Sequence, residues 1–160
     1  RIEMTPIGRI HSPHREAKGT PIQPRWADAV KGTVEVFQEH VPGLRDLEGF
    51  DRIWLLYWFD RVTGPQLEVV PYRDTQTRGV FATRAPCRPN PIGLSCVRLL
   101  RIEEAVLEVA DLDVLDGTPL LDIKPYIPDC DVFSVKRVGW WSCAACQPSA
   151  DHRFIKREPD

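Results

Sequence analysis

Apolar residues fall in short runs that proline and glycine interrupt every several positions, so the segments between the interruptions are strand-sized. Residues 33–37 (TVEVF) are β-branched and half alternating, which predicts a half-buried strand. Residues 52–59 (RIWLLYWF) are apolar and aromatic on both faces, as expected of a central strand covered on both sides. Residues 79–83, 94–102 and 105–110 read as further strands. Asp116-Gly117, set between Val114-Leu115 and Leu120-Leu121, is the strongest hairpin signal in the chain. Residues 44–48 predict one short helical turn. Several short strands with turn chemistry between them predict an all-β sandwich or barrel with open, Pro-rich loops. From Ser142 onward the periodicity fades into a polar, charged stretch, which predicts one domain over 1–141 and a mobile or partner-dependent tail over 142–160.

Composition sharpens this picture. Fifteen of the 160 residues are proline, about 9% against a usual ~5%, which leaves little room for long helices. The longest apolar run, Ile53 to Phe59, is seven residues, far short of the roughly 20 that span a bilayer. With no signal-peptide pattern in RIEMTPIGRI, the expected location is the cytoplasm. Five cysteines, an odd number, argue for reduced thiols rather than a disulfide framework. A formal net charge of -2 excludes a global cationic field, so any nucleic-acid partner has to meet a local basic patch.

The glycines form neither a dinucleotide nor a phosphate-binding loop, and no G-x-S-x-G elbow is present. None of His11, His14, His40 and His152 stands in a nucleophile-base pattern. Cys143 and Cys146 have C-x-x-C spacing without a second pair, too weak a signal to assign a metal, and none is expected. Two clusters stand out. Residues 82–95 (ATRAPCRPNPIGLS) form a proline-stiffened loop that presets Arg84 and Arg88 for an anion at low entropic cost. Residues 112–126 (LDVLDGTPLLDIKPY) gather Asp113, Asp116, Asp122 and Lys124 about a tight turn.

Together with IGRIHSP at 7–13 and LRDLEGFDRIWLLYWFD at 44–60, these clusters resemble the TsaA-like (TrmO) family of S-adenosylmethionine-dependent tRNA methyltransferases over residues 4–128. The resemblance implies a mainly β, compact, barrel-like, non-Rossmann domain that dimerises and methylates N6 of threonylcarbamoyladenosine beside the anticodon. It implies S-adenosylmethionine as cofactor, and tRNA and a second copy of the chain as partners, with neither DNA nor membrane. Carried onto this sequence, the cofactor site takes in Pro21, Ile22, Gln23, Asp60, Arg61, Arg84, Leu94, Asp116, Gly117, Thr118 and Pro119. The residue types suit that ligand: arginine for its carboxylate, carboxylate or carbonyl oxygens for its sulfonium, apolar walls for its adenine. Arg88, Asn90 and Lys124 are expected to touch substrate or RNA. A poor nitrogen nucleophile benefits from a proton acceptor, for which Asp60, Asp116 and Asp122 are the candidates, and the sequence does not choose among them. Relatives often carry His where this chain has Asp60. The alternatives are a related methyltransferase with another acceptor, and a noncatalytic cofactor-binding module.

Overall fold

In the structure, a computed structural model, residues 1–143 and 149–154 are described. The strands are β1 (Gly8–His11), β2 (Gly32–Val36), β3 (Arg52–Trp58), β4 (Glu68–Val69), β5 (Arg78–Gly79), β6 (Ile92–Glu103), β7 (Val106–Ala110) and β8 (Thr118–Pro125). Six of them close an antiparallel barrel in the order β1-β2-β7-β6-β3-β8, with β8 returning to β1, while β4 and β5 pair separately. The α-helical content among described residues is one turn, α1 (Pro128–Asp131).

Closure explains why β3 is buried on one face only. Ile53, Leu55 and Tyr57 point into the barrel at 0, 0 and 4% exposure, while Trp54, Leu56 and Trp58 alternate with them and stay partly exposed. The expectation of burial on both faces is corrected because this barrel has one filled interior and one outer surface. Ile10, Val34, Val97, Leu107, Val109 and Leu120 complete that interior, each fully buried. At about 1.5–3 kcal/mol per buried aliphatic side chain, this layer is the main source of cohesion.

The Asp116-Gly117 turn does not make a hairpin. Residues 114–115 pair with no returning strand, and β8 hydrogen-bonds to β1 and β3 instead. Leu112 and Val114 are buried in the barrel core, so the chain crosses the end of the barrel to plug it. The turn itself is real: Gly117 has φ +81°, and its N–H donates to the Ile10 carbonyl at 2.8 Å. The strand expected over 79–83 ends at Gly79, and Val80–Ala82 form a 3₁₀ turn. There the Thr83 hydroxyl donates to the Val80 carbonyl at 2.8 Å, a local bond that competes with sheet pairing. Around 44–48, two 3₁₀ segments, Gln38–Leu44 and Leu47–Gly49, are separated by Arg45 and Asp46, the latter at φ 68°.

The described part of the C-terminal stretch is docked rather than free. Gly19 N–H donates to Ala150 O at 2.8 Å, Ala150 N–H to Thr20 O at 2.7 Å, and Pro21 bridges Ser149. Phe154 packs on a second small core of Val69, Val80 and Ala85. Among the described residues no helix is long and apolar enough to cross a membrane.

Candidate functional site

Between the barrel end and this second core lies a cleft of ≈ 820 Å³. Its floor is made by the end of β3 (Tyr57, with Phe59 beyond it), the start of β6 (Ile92, Gly93, Leu94) and Thr118 at the start of β8. One wall is the 20–23 loop, a second is the 81–88 loop, and the roof comes from Trp140, Trp141, Arg153 and Phe154. Among the described lining residues, Arg61, Arg73, Arg84, Arg88 and Arg153 face only two carboxylates, Asp60 and Asp113. A chain with net charge -2 therefore concentrates positive charge at one concavity.

Nine of the residues expected to hold cofactor or substrate meet here: Pro21, Ile22, Gln23, Asp60, Arg61, Arg84, Arg88, Leu94 and Thr118. Arg84 Nη1 donates to Gln23 Oε1 at 2.7 Å, tying the two walls together. Asp60 stands 3.5 Å from Arg61 Nε, with its side chain 38% exposed. Arg61 Nη2 donates to the Asp116 carbonyl at 2.6 Å, and Arg9 Nη1 to the Gly117 carbonyl at 2.8 Å. The turn oxygens offered to a ligand cation thus already accept from two guanidinium groups.

Asp116, Gly117, Pro119, Asp122, Asn90 and Lys124 do not line the cleft. The Asp116 carboxylate accepts from Ser12 N–H at 3.0 Å and lies 3.8 Å from His11 Nδ1. Pro119 pairs with Arg9 in the β1–β8 ladder. Asp122 and Lys124 form an ion pair with each other at 3.0 Å on β8. Asn90 is exposed, and its backbone carbonyl accepts from Ile92 N–H at 2.7 Å. Arg88 Nη1 reaches the carbonyls of Val80, Thr83 and Ala85 at 3.1, 2.8 and 3.2 Å, so this guanidinium shapes the 80–88 loop from within. The loop is preset by that arginine as well as by its prolines.

Sequence reasoning missed a polar chain at the cleft floor. Ser95 Oγ donates to Asp113 Oδ1 at 2.6 Å and lies 2.8 Å from Tyr57 Oη. A hydroxyl carries one hydrogen, so with Asp113 ionised and accepting from Ser95, Tyr57 has to donate to Ser95. Burial raises the Asp113 carboxyl to about 7, against the Ser95 hydrogen bond and the Arg84 charge, which both favour ionisation. Burial, and then the Asp113 charge, push the Tyr57 phenol well above its usual value. The available signal was period-2 alternation, which places Tyr57 on the inward face with Ile53 and Leu55. Asp113 was legible as part of an acidic cluster, but nothing local separates it from Asp116 and Asp122.

Gly93 belongs to the same floor. It pairs with Tyr57 across β3–β6, and a Cβ there would sit 2.1 Å from Tyr57 Cε2. The roof was also missed. Trp141 packs on Trp26 with centroids 6.0 Å apart, and the Arg73 guanidinium lies 4.2 Å from the Trp141 ring and 5.0 Å from that of Trp26. Trp140 Nε1 donates to Ala82 O at 2.7 Å. The side chains of Cys143 and Cys146 lie outside the described residues, and among the described ones no three metal-ligating side chains cluster.

A closed six-stranded barrel carrying a basic cleft at one end, without a Rossmann layer among the described residues, defines a small-ligand-binding β-barrel. Residues 9–132 match the tRNA-methyltransferase O N-terminal domain, and the chain belongs to that family. A probable S-adenosyl-L-methionine-binding protein of Pyrococcus abyssi is 54% identical over 135 residues, which is 84% of this chain and 73% of that protein. The tRNA (adenine(37)-N6)-methyltransferase of Escherichia coli is 37% identical over 137 residues, 79% of this chain and 58% of that one. The crystal structure of TrmO from Pseudomonas aeruginosa superposes with a TM-score of 0.73 at 40% identity, covering 87% of this chain and 62% of that one. The chain thus spans about three fifths of the length of these last two proteins.

Proposed function

We propose that this chain is an S-adenosylmethionine-dependent methyltransferase acting on N6 of threonylcarbamoyladenosine in tRNA beside the anticodon, as a cytoplasmic homodimer. The observation that carries the reading is convergence. Residues 21–23, Asp60, Arg61, Arg84, Leu94 and Thr118 are scattered along the sequence yet share one cleft of ≈ 820 Å³, within the usual ~300–1,000 Å³ of small-molecule sites. The E. coli relative acts on adenine 37 of tRNA, which supports the acceptor.

The donor set fits the cofactor. Arg84, held by Gln23 at the wall, would take the ligand carboxylate, while the Asp60 carboxylate and the 21–23 loop would offer oxygens to its cationic part. Leu94, 42% exposed in the cleft floor, offers an apolar wall for the adenine. Asp116 and Gly117 serve indirectly by fixing Arg61 and Arg9 through their carbonyls, and Pro119 sets the register of Arg9 in the β1–β8 ladder. When bound, the cofactor supplies a methyl group already activated on a sulfonium. The protein's task is therefore mainly to position the acceptor and exclude water. The excess of arginines draws in a polyanionic substrate, with Asn90 and Lys124 as outlying contacts. Beyond β8, Ile127, Val132, Phe133 and Val135 are exposed apolar residues that suit burial against a second copy. Residues 1–141 form the barrel domain proper and 142–160 its extension.

Calorimetric titration with S-adenosylmethionine tests the site. Loss of the charge-assisted bond in Arg84→Ala, about 1.5–3 kcal/mol, weakens binding roughly 10- to 150-fold. An Arg84→Ala protein that binds as tightly as wild type removes the assignment. Nucleoside mass spectrometry of treated tRNA then identifies the methylated position.

A further inference from the structure

The structure assigns the proton-accepting role in methyl transfer to Asp113, with Ser95 and Tyr57 as its positioning residues, an inference that rests on the function proposed above. None of the carboxylates favoured by sequence has comparable geometry. Asp116 and Asp122 do not line the cleft and are engaged with Ser12 and Lys124 respectively. Asp60 does line it, but its side chain is 38% exposed and already lies 3.5 Å from the Arg61 guanidinium, so it is neither shielded from solvent nor free of a counter-ion. Asp113 is the remaining acidic group among the described lining residues, and no histidine accompanies it.

Its surroundings suit a group that must take up a proton and release it. Ser95, 1% exposed, fixes Oδ1 from β6, and Tyr57, 4% exposed, fixes Ser95 from β3, so the carboxylate is oriented by two rigid strands. Arg84 approaches from the 81–88 loop as a counter-charge, with Arg61, Arg88 and Asp60 elsewhere on the same cleft. Burial holds the carboxyl near neutrality, where a general base works best. In the step itself, the acceptor N6 forms a bond to the methyl carbon as the carbon–sulfur bond breaks. The sulfur leaves as a neutral thioether, and the N6 proton passes to the Asp113 carboxylate, from which solvent later removes it.

Asp113→Asn, Asp60→Asn, Ser95→Ala and wild type are compared by calorimetry with S-adenosylmethionine and by single-turnover methylation of tRNA across pH. Carboxyl carbon NMR follows Asp113 in the ligand-free protein. The expected result is cofactor affinity within about threefold of wild type for Asp113→Asn, with its methylation rate down on the order of 100-fold or more. The wild-type rate rises with pH through an acid limb near neutrality, matched by the NMR midpoint. Ser95→Ala moves that limb to higher pH, because it loses a hydrogen bond to the ionised form. If Asp113→Asn does not fold, the displaced limb of Ser95→Ala decides. The inference is overturned if Asp113→Asn loses affinity and rate in parallel, which makes Asp113 a cation anchor. It is overturned equally if Asp60→Asn carries the rate loss, or if the NMR midpoint lies at an ordinary carboxylate value. A wild-type protein that binds no S-adenosylmethionine overturns the proposed function beneath it.

Discussion

Replacing Gly93 by alanine probes the cleft floor at its tightest point. The added Cβ lies 2.1 Å from Tyr57 Cε2 and 2.5 Å from Cζ, inside any real carbon–carbon contact. The ring is 4% exposed and held by a 2.8 Å hydrogen bond to Ser95, so it has to leave a packed position to make room. Overpacking of this kind costs about 1–3 kcal/mol, and the displaced hydroxyl bond adds about 0.5–1.5 kcal/mol, giving roughly 2–4 kcal/mol in all. For a domain of this size, that lowers Tm by about 4–16 °C. Urea denaturation of Gly93→Ala, Tyr57→Leu and the double variant forms a cycle that isolates the clash. With Leu at 57, most of the alanine penalty disappears. A penalty unchanged by Tyr57→Leu, or below about 0.5 kcal/mol in the wild-type background, refutes the reasoning.

Two further predictions follow from the outer surface and the roof. At Asp111, burial opposes ionisation, but hydrogen bonds and charge from Arg98 at 2.8 Å and Arg52 at 2.9 Å outweigh it and hold the carboxyl below its usual value. A depressed carboxylate contributes stability that is complete above its unfolded pKa of about 3.9 and is lost as pH falls through the folded value. The stability gap between wild type and Asp111→Asn should therefore stay constant above about pH 5 and narrow below it, as pH falls through about 3.9 toward the lower folded value, in urea titrations; a gap that stays constant there contradicts the ion-pair account. Trp141→Ala removes the ring contact with Trp26 and the stacked Arg73, together about 1–2.5 kcal/mol of local docking. Limited proteolysis should accelerate within 142–154 while the barrel stays intact, and unchanged cleavage counts against a docked roof.

What the sequence determined by itself was local. Short runs cut by proline and glycine specified a β fold, and the RPNPIG and DGTP stretches specified the family. Gly117 made its turn because the position needs φ +81°, a constraint readable from the residue type. Other properties were decided by where distant segments met. Whether the residues flanking Asp116-Gly117 would pair depended on Leu112 and Val114 finding the barrel core, and that contact outweighed the hairpin signal. Ser95 lies 18 residues from Asp113 and 38 from Tyr57, so no spacing rule links the three. Barrel closure brings β3 and β6 into register, placing Tyr57 opposite Gly93 with Ser95 two positions further along β6. Of three acids within ten residues of one another, Asp113 faces the cleft, Asp116 caps a turn and Asp122 pairs with a lysine. Burial and partners, which sort these carboxylates, are properties of the enclosing surface, and that surface exists only once the barrel has closed.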